Sequence, residues 1–276
     1  MKSFLTRTAT GILFVALVIV SILASGSLAK VINLFNVFLI FTCIAIYEYR
    51  SLVNSRGNNL SVFFYIAALT VYFILAYVPL WNVVSSSLLM LLILGTLFMI
   101  PIVELFRKQE NPFGNIAYSI LGIVWIVVPL ALINRIPTLL PEGKYLVLAL
   151  FVLVWLSDTF AYCVGSLLGK HRLMLHVSPK KSWEGTIGSA ILILLLAFFA
   201  PKILTMLPLD TIDWMLFAAI VIVLGTLGDL IESLFKRQMD VKDSGSILPG
   251  HGGILDRFDS ILLIVPFILL YLHFIL

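Results

Sequence analysis

The amino-acid sequence predicts an all-α, polytopic integral membrane protein of about nine transmembrane helices with a cytoplasmic N-terminus. Three observations predict it. Hydrophobic residues make up 61% of the 276 and charged residues only 12%, at a mean hydropathy of +1.13, which is more apolar sequence than a soluble fold can hide. The apolar residues form long continuous runs and do not alternate with period two. Helices of about 20 such residues cross about 30 Å of hydrocarbon with every backbone group satisfied. Finally, Lys and Arg gather on alternate connections, as membrane topology requires.

The spans follow in order. Residues 10–29 come after Lys2 and Arg7 and end near Ser27-Leu28-Ala29, the layout of a secretory signal; with so many spans behind it, an uncleaved first helix is expected. Residues 31–48 follow almost without a loop. The runs 60–78, 83–103, 116–134 and 145–165 are each announced by turn formers: Gly57-Asn58-Asn59, Pro79, Pro112-Phe113-Gly114 and Pro141-Glu142-Gly143. A short run, 185–200, stops at Pro201, and 214–232 and 260–276 complete the set. With a cytoplasmic N-terminus, only Lys30, Arg135, Lys144 and Lys202 fall on the far side, so 14 of the 18 Lys and Arg residues face the cytoplasm. The loops 166–184 and 233–259 then open to the cytoplasm and the C-terminus lies outside. Cys43 and Cys163 sit inside apolar runs and read as packing residues, not a disulfide. The formal charge of +4 has no soluble face to carry it, which argues against a nucleic-acid partner and for anionic lipid. Residues 1–144 read as a scaffold of helices and 145–276 as the region that carries chemistry.

Within that region, Asp158 lies inside the sixth run. A carboxylate at such depth costs at least about 2.5 to 3.5 kcal/mol, so it is expected to face protein or a water-filled cavity. Gly165 to Arg172 and then Ser178-Pro179-Lys180-Lys181-Ser182-Trp183-Glu184-Gly185 place glycine, basic residues and hydroxyls before a helix, a pattern that suits an anion site or a positive-inside anchor. Asp229, Glu232, Ser233 and Lys236 stand at i, i+3, i+4 and i+7, on one helical face; a solvated ladder explains Glu232 and Lys236, but not the deeper Asp229. The loop beyond offers Lys242-Asp243-Ser244-Gly245 and Pro249-Gly250-His251-Gly252-Gly253, and Asp256-Arg257-Phe258-Asp259 opens the last span. Glycines there let backbone N–H groups converge on an anion, and His251 is either a backbone-bonded turn residue or a substrate contact. Asp229 and Asp256 together suit a hard divalent cation such as Mg2+, which takes one or two carboxylates and completes its shell with water and phosphates. No paired His and Cys spacing resembles a zinc site. Gly185, Gly188 and Ser189 suit internal helix packing or a homodimer seam.

The pattern Ser233-x2-Lys236-Arg237-x4-Lys242-Asp243-x-Gly245-x3-Pro249-Gly250-His251-Gly252-Gly253-x2-Asp256-Arg257-x-Asp259 resembles the signature of phosphatidate cytidylyltransferases, also called CDP-diacylglycerol synthases. Ser157-Asp158-Thr159-Phe160-Ala161-Tyr162 and the Ser178 to Gly185 stretch are similar to this family too, so the resemblance covers residues 145–276. It implies a multi-pass enzyme of the cell inner membrane, with its active site toward the cytoplasm, that joins CTP and phosphatidate into CDP-diacylglycerol and pyrophosphate using Mg2+. Carried over by position, the metal-binding acids fall on Asp229 and Asp256, with Asp158 and Glu184 as groups that could orient a second cation or a lysine. The Ser-Pro-x-Lys lysine falls on Lys181. Ser178, Lys180, Lys236, Arg237, Lys242, Asp243, His251, Gly252, Gly253 and Arg257 would surround the phosphates. Two other classes remain open on the residues: a CTP-dependent lipid kinase, and an ion-coupled transporter using Asp158 and Asp229.

Overall fold

The computed structural model describes residues 2–24, 28–78, 85–248, 250 and 252–276. Apart from one two-stranded hairpin, its regular structure is helical. The helices are α1 (Lys2–Leu23), α2 (Leu28–Asn54), α3 (Phe63–Ala76), α4 (Ser86–Leu105), α5 (Pro112–Gly122), α6 (Val128–Leu132), α7 (Lys144–Leu168), α8 (Trp183–Ile203), α9 (Thr211–Gln238) and α10 (Leu255–Ile275). Among the described residues, seven helical stretches are long and apolar enough to cross a membrane, and Thr8–Leu23 and Phe63–Ala76 are shorter apolar helices. Among the described residues the all-α, polytopic class thus holds, with seven helical stretches of spanning length.

The chain divides into two compact units, Met1–Arg135 with Asp243–Arg257, and Ile136–Lys242 with Phe258–Leu276. In the first unit α3 packs on α2, α4 and α6, and its inward side chains Phe64, Ala67, Ala68, Val71 and Tyr72 are fully enclosed. On α4, by contrast, Leu91, Phe98 and Leu105 are 64%, 69% and 75% exposed, which suits a surface that meets lipid and not water. The stretch from Pro112 to Thr138 is one apolar path with a defect in it. It begins at Asn111, whose side chain accepts from the Gly114 amide, with Pro112 in the first turn where no N–H is needed. A π-helical turn at Ile123–Val127 precedes Pro129. Proline has no N–H and its ring crowds the preceding turn, so the ladder widens just before it.

In the second unit α7, α8 and α9 pack against one another. The loop 166–184 contains an antiparallel hairpin of β1 (Arg172–Met174) and β2 (Ser178–Ser182). Ser182 then caps α8, accepting from the Gly185 amide. Helix α9 starts with a reciprocal cap between Asp210 and Asp213. It runs on through Arg237 and closes with paired bonds, Asp240 N–H to Arg237 and Val241 N–H to Lys236, with Asp240 in the left-handed region at φ 48°.

Candidate functional site

Four helices, α7, α8, α9 and α10 through Ser260, and the hairpin of the second unit surround a cavity of about 520 Å³. Asp158, Ser157 and Gly165 come from α7, Arg172, Lys180 and Lys181 from the hairpin, Thr186 and Ser189 from α8, and Asp229 from α9. Its polar walls are tied together locally. Ser189 donates to the Ser157 carbonyl across α7 and α8 at 2.8 Å. Lys181, on the last residues of β2, reaches Asp229 Oδ2 in an ion pair whose side chains are only 27% and 25% exposed. Ser233, one turn further along α9, donates to Asp229 Oδ1 at 3.2 Å. Partial burial makes this pair stronger than a surface one and makes the loss of either partner costly.

The start of the last helix brings a third carboxylate to this acidic region. Asp259 lies within electrostatic reach of Asp229, Asp158 and Lys236. Gly228 makes that approach possible, because a Cβ there would strike the carbonyl of Asp259. Among the described residues, no three His, Cys, Asp or Glu side chains converge into a ready metal cage. A cation that needs only one or two carboxylates, with water and phosphate oxygens supplying the rest, does fit a wall bearing Asp158 and Asp229 with Asp259 close by. All of these are hard oxygen donors, as Mg2+ prefers.

Other residues singled out by sequence have local duties. Glu184 accepts from the amides of Lys170 and His171, and its Oε1 pairs with His171 Nδ1 at 2.6 Å. It clasps the hairpin to the start of α8. Glu232 and Lys236 are an i,i+4 pair at 3.2 Å, yet Glu232 is fully buried, so this is not a solvated ladder. Arg237 donates through Nε to the Val177 carbonyl at 3.4 Å and ties α9 to the hairpin turn. Ser178, Lys236, Arg237 and Lys242 belong to this unit without lining the cavity.

The rest of the signature belongs to the first unit. Asp256 Oδ2 accepts from the amides of Ser244 and Gly253 at 2.9 and 2.8 Å, drawing the loop into a closed turn. The Leu248 amide bonds the Gly252 carbonyl at 3.0 Å. Gly252 sits at φ 79°, where a side chain would be strained and would meet Asp256. The Gly253 amide, one of the donors expected to converge on an anion, bonds a carboxylate of the loop itself. Asp243 and Arg257 are exposed. His251 lies outside the described residues.

One site residue was not foreseen. Glu48, on α2, is 3% exposed. Its oxygens accept from the amides of Ile254 and Leu255, each at 3.0 Å, and from the Ser244 hydroxyl at 3.4 Å. Its signal was present, since an acid within an apolar run needs a partner just as Asp158 does.

Fold and cavity together define a polytopic helical membrane protein with a charged pocket between helices of its second unit. The chain belongs to the cytidylyltransferase family, whose model matches residues 5–275. It is 40% identical over 161 residues to the phosphatidate cytidylyltransferase of Bacillus subtilis (strain 168), which covers 58% of this chain and 60% of that one. It is 47% identical over 131 residues to that of Staphylococcus haemolyticus, covering 45% and 48%, and 38% identical over 166 residues to that of Staphylococcus aureus (strain COL), covering 58% and 60%. The chain thus spans about 60% of the length of the first of these curated relatives.

Proposed function

We propose that this protein transfers the cytidylyl group of CTP to phosphatidate, giving CDP-diacylglycerol and pyrophosphate. The observation that carries the reading is the half-buried Lys181 and Asp229 pair in a cavity that also holds Asp158, Arg172 and Lys180. Family membership and the names of the relatives support the same substrates. In the reaction a phosphate oxygen of phosphatidate attacks the α-phosphorus of CTP, and the bond from that phosphorus to the bridging oxygen breaks. Pyrophosphate leaves with the electron pair. A phosphate monoester has its second pKa near 6, so the nucleophile is ionised at neutral pH and needs no general base. The protein's task is to hold anions in line and to stabilise the charge on the leaving group.

Arg172, Lys180 and Lys181 would neutralise phosphate oxygens, and Lys181 would be aimed by Asp229. Val154, Val221 and Ile222 offer an apolar wall. Asp229, with Asp158 beside it, would hold Mg2+, which would supply positive charge to the phosphate oxygens; the resemblance adds Asp256 as a ligand. Lys236, Arg237, Lys242 and Arg257 would add positive potential for CTP. The same reading places the protein in the inner membrane with nine spans, a cytoplasmic N-terminus and CTP arriving from the cytoplasm, while the acyl chains stay in the bilayer. The test is transfer of label from CTP into lipid by the purified chain. Loss of transfer in Lys181→Ala supports the reading, and wild-type kinetic constants in that variant overturn the role given to the pair.

A further inference from the structure

The loop Asp243–Arg257 carries much of the family signature, yet it is fastened by a residue far outside that signature. Both oxygens of Glu48 are engaged by it: Oε1 by the Ile254 amide, Oε2 by the Leu255 amide and the Ser244 hydroxyl. Two glycines exist at this contact for want of space, since a Cβ on Gly245 or Gly253 would collide with the Glu48 carboxylate. Ser244 connects the two carboxylates of the unit, with its hydroxyl on Glu48 and its amide on Asp256. The Gly253 amide bonds Asp256, and the next two amides bond Glu48. The amides opening α10, which have no partner within the helix, are thereby satisfied, and the buried charge is paired with donors.

The stretch of α2 around Glu48 is tied to its surroundings by buried contacts and hydrogen bonds. The adjacent Tyr49 is fully buried and donates to the Tyr118 carbonyl at 2.8 Å. Arg50 donates to the Leu60 carbonyl at 2.9 Å, and Asn54 accepts from the Leu60 amide at 2.9 Å. A carboxylate on such a base transmits its own position to whatever it holds.

We propose that Glu48 is a positioning residue for cytidylyl transfer, fixing the signature loop and its Asp256 from the N-terminal helices. This rests on the proposed function, because it takes Asp256 and its loop to serve the reaction. Its effect belongs to kcat more than to the KM for CTP, since a loop displaced by about 1 Å costs on the order of 100-fold in rate, while of the basic groups assigned to the phosphates only Arg257 lies in the loop and Arg172, Lys180, Lys181, Lys236, Arg237 and Lys242 remain.

The experiment compares the full chain with Glu48→Gln and, as a matched loss of another buried carboxylate in the same unit, Glu104→Gln. Steady-state transfer from CTP is read together with hydrogen exchange at Ser244, Gly253, Ile254 and Leu255. Glu48→Gln is expected to lower kcat at least about tenfold, leave the KM for CTP within about twofold, and speed exchange at those amides while α2 stays protected. Glu104→Gln is expected to keep the wild-type kcat. The proposal is overturned by wild-type kcat in Glu48→Gln, by unchanged exchange in the loop, by loss of protection throughout α2, or by an equal loss in Glu104→Gln. A wild-type chain that makes no CDP-lipid instead sinks the functional reading, and the exchange measurement still decides whether Glu48 holds the loop.

Discussion

Lys181 and Asp229 hold each other in a half-buried pair, so removing either leaves the other with an unbalanced charge facing the cavity. Asp229→Asn keeps the volume and the bond from Ser233 but removes the charge; transfer should fall by at least about 100-fold, with unchanged elution of the folded protein from a sizing column. Lys181→Met, which keeps the length of the stem, should lose a similar factor, and the double variant should lose much less than the product of the two, because they act as a unit. Asp158 and Asp229 stand out in the sequence because charge within apolar runs is expensive and needs a partner, whereas Lys181 stands out only through the resemblance of its Ser-Pro-x-Lys stretch. Glu184 and Gly253 are of types that suit both a ligand and a local bond, and the fold shows the local bonds they make, to the hairpin and to Asp256. Glu48 escaped because its partners lie some two hundred residues away.

Helix ends account for most differences between the expected elements and the observed ones. Hydropathy marks where a chain is apolar, whereas caps mark where a helix starts and stops. Helix α9 thus extends from the Asp210 cap to Gln238, well past the apolar run at 214–232. The hairpin in 166–184 was invisible because its strands are short and polar, and it depends on the clasp from Glu184 to Lys170 and His171. Ser182 is the hinge of this arrangement: it ends β2, caps α8, and is crowded by Gly165, Gly169 and Gly185. Ser182→Ala should destabilise the protein by about 1 kcal/mol, through loss of the cap, read as a lower melting temperature in detergent. An unchanged melting temperature would show that the glycine contacts alone hold the junction.

For the whole molecule, the all-helical membrane class was legible from composition and run length, since lipid admits few other solutions. The association of Asp243–Arg257 with Met1–Arg135 was not, because no local pattern carries a contact of that sequence separation. The proposed orientation predicts that a reporter placed after Leu276 is reached by a membrane-impermeant reagent from outside intact cells, and one placed before Met1 is not; the opposite pattern would invert the topology. The central claim is tested most directly by giving the purified full chain CTP, phosphatidate and Mg2+ in mixed micelles and following both products. The account predicts CDP-lipid and pyrophosphate in equal amounts, abolished by chelation of the cation and by Asp229→Asn. Folded protein that releases pyrophosphate without CDP-lipid, or makes neither, would contradict it.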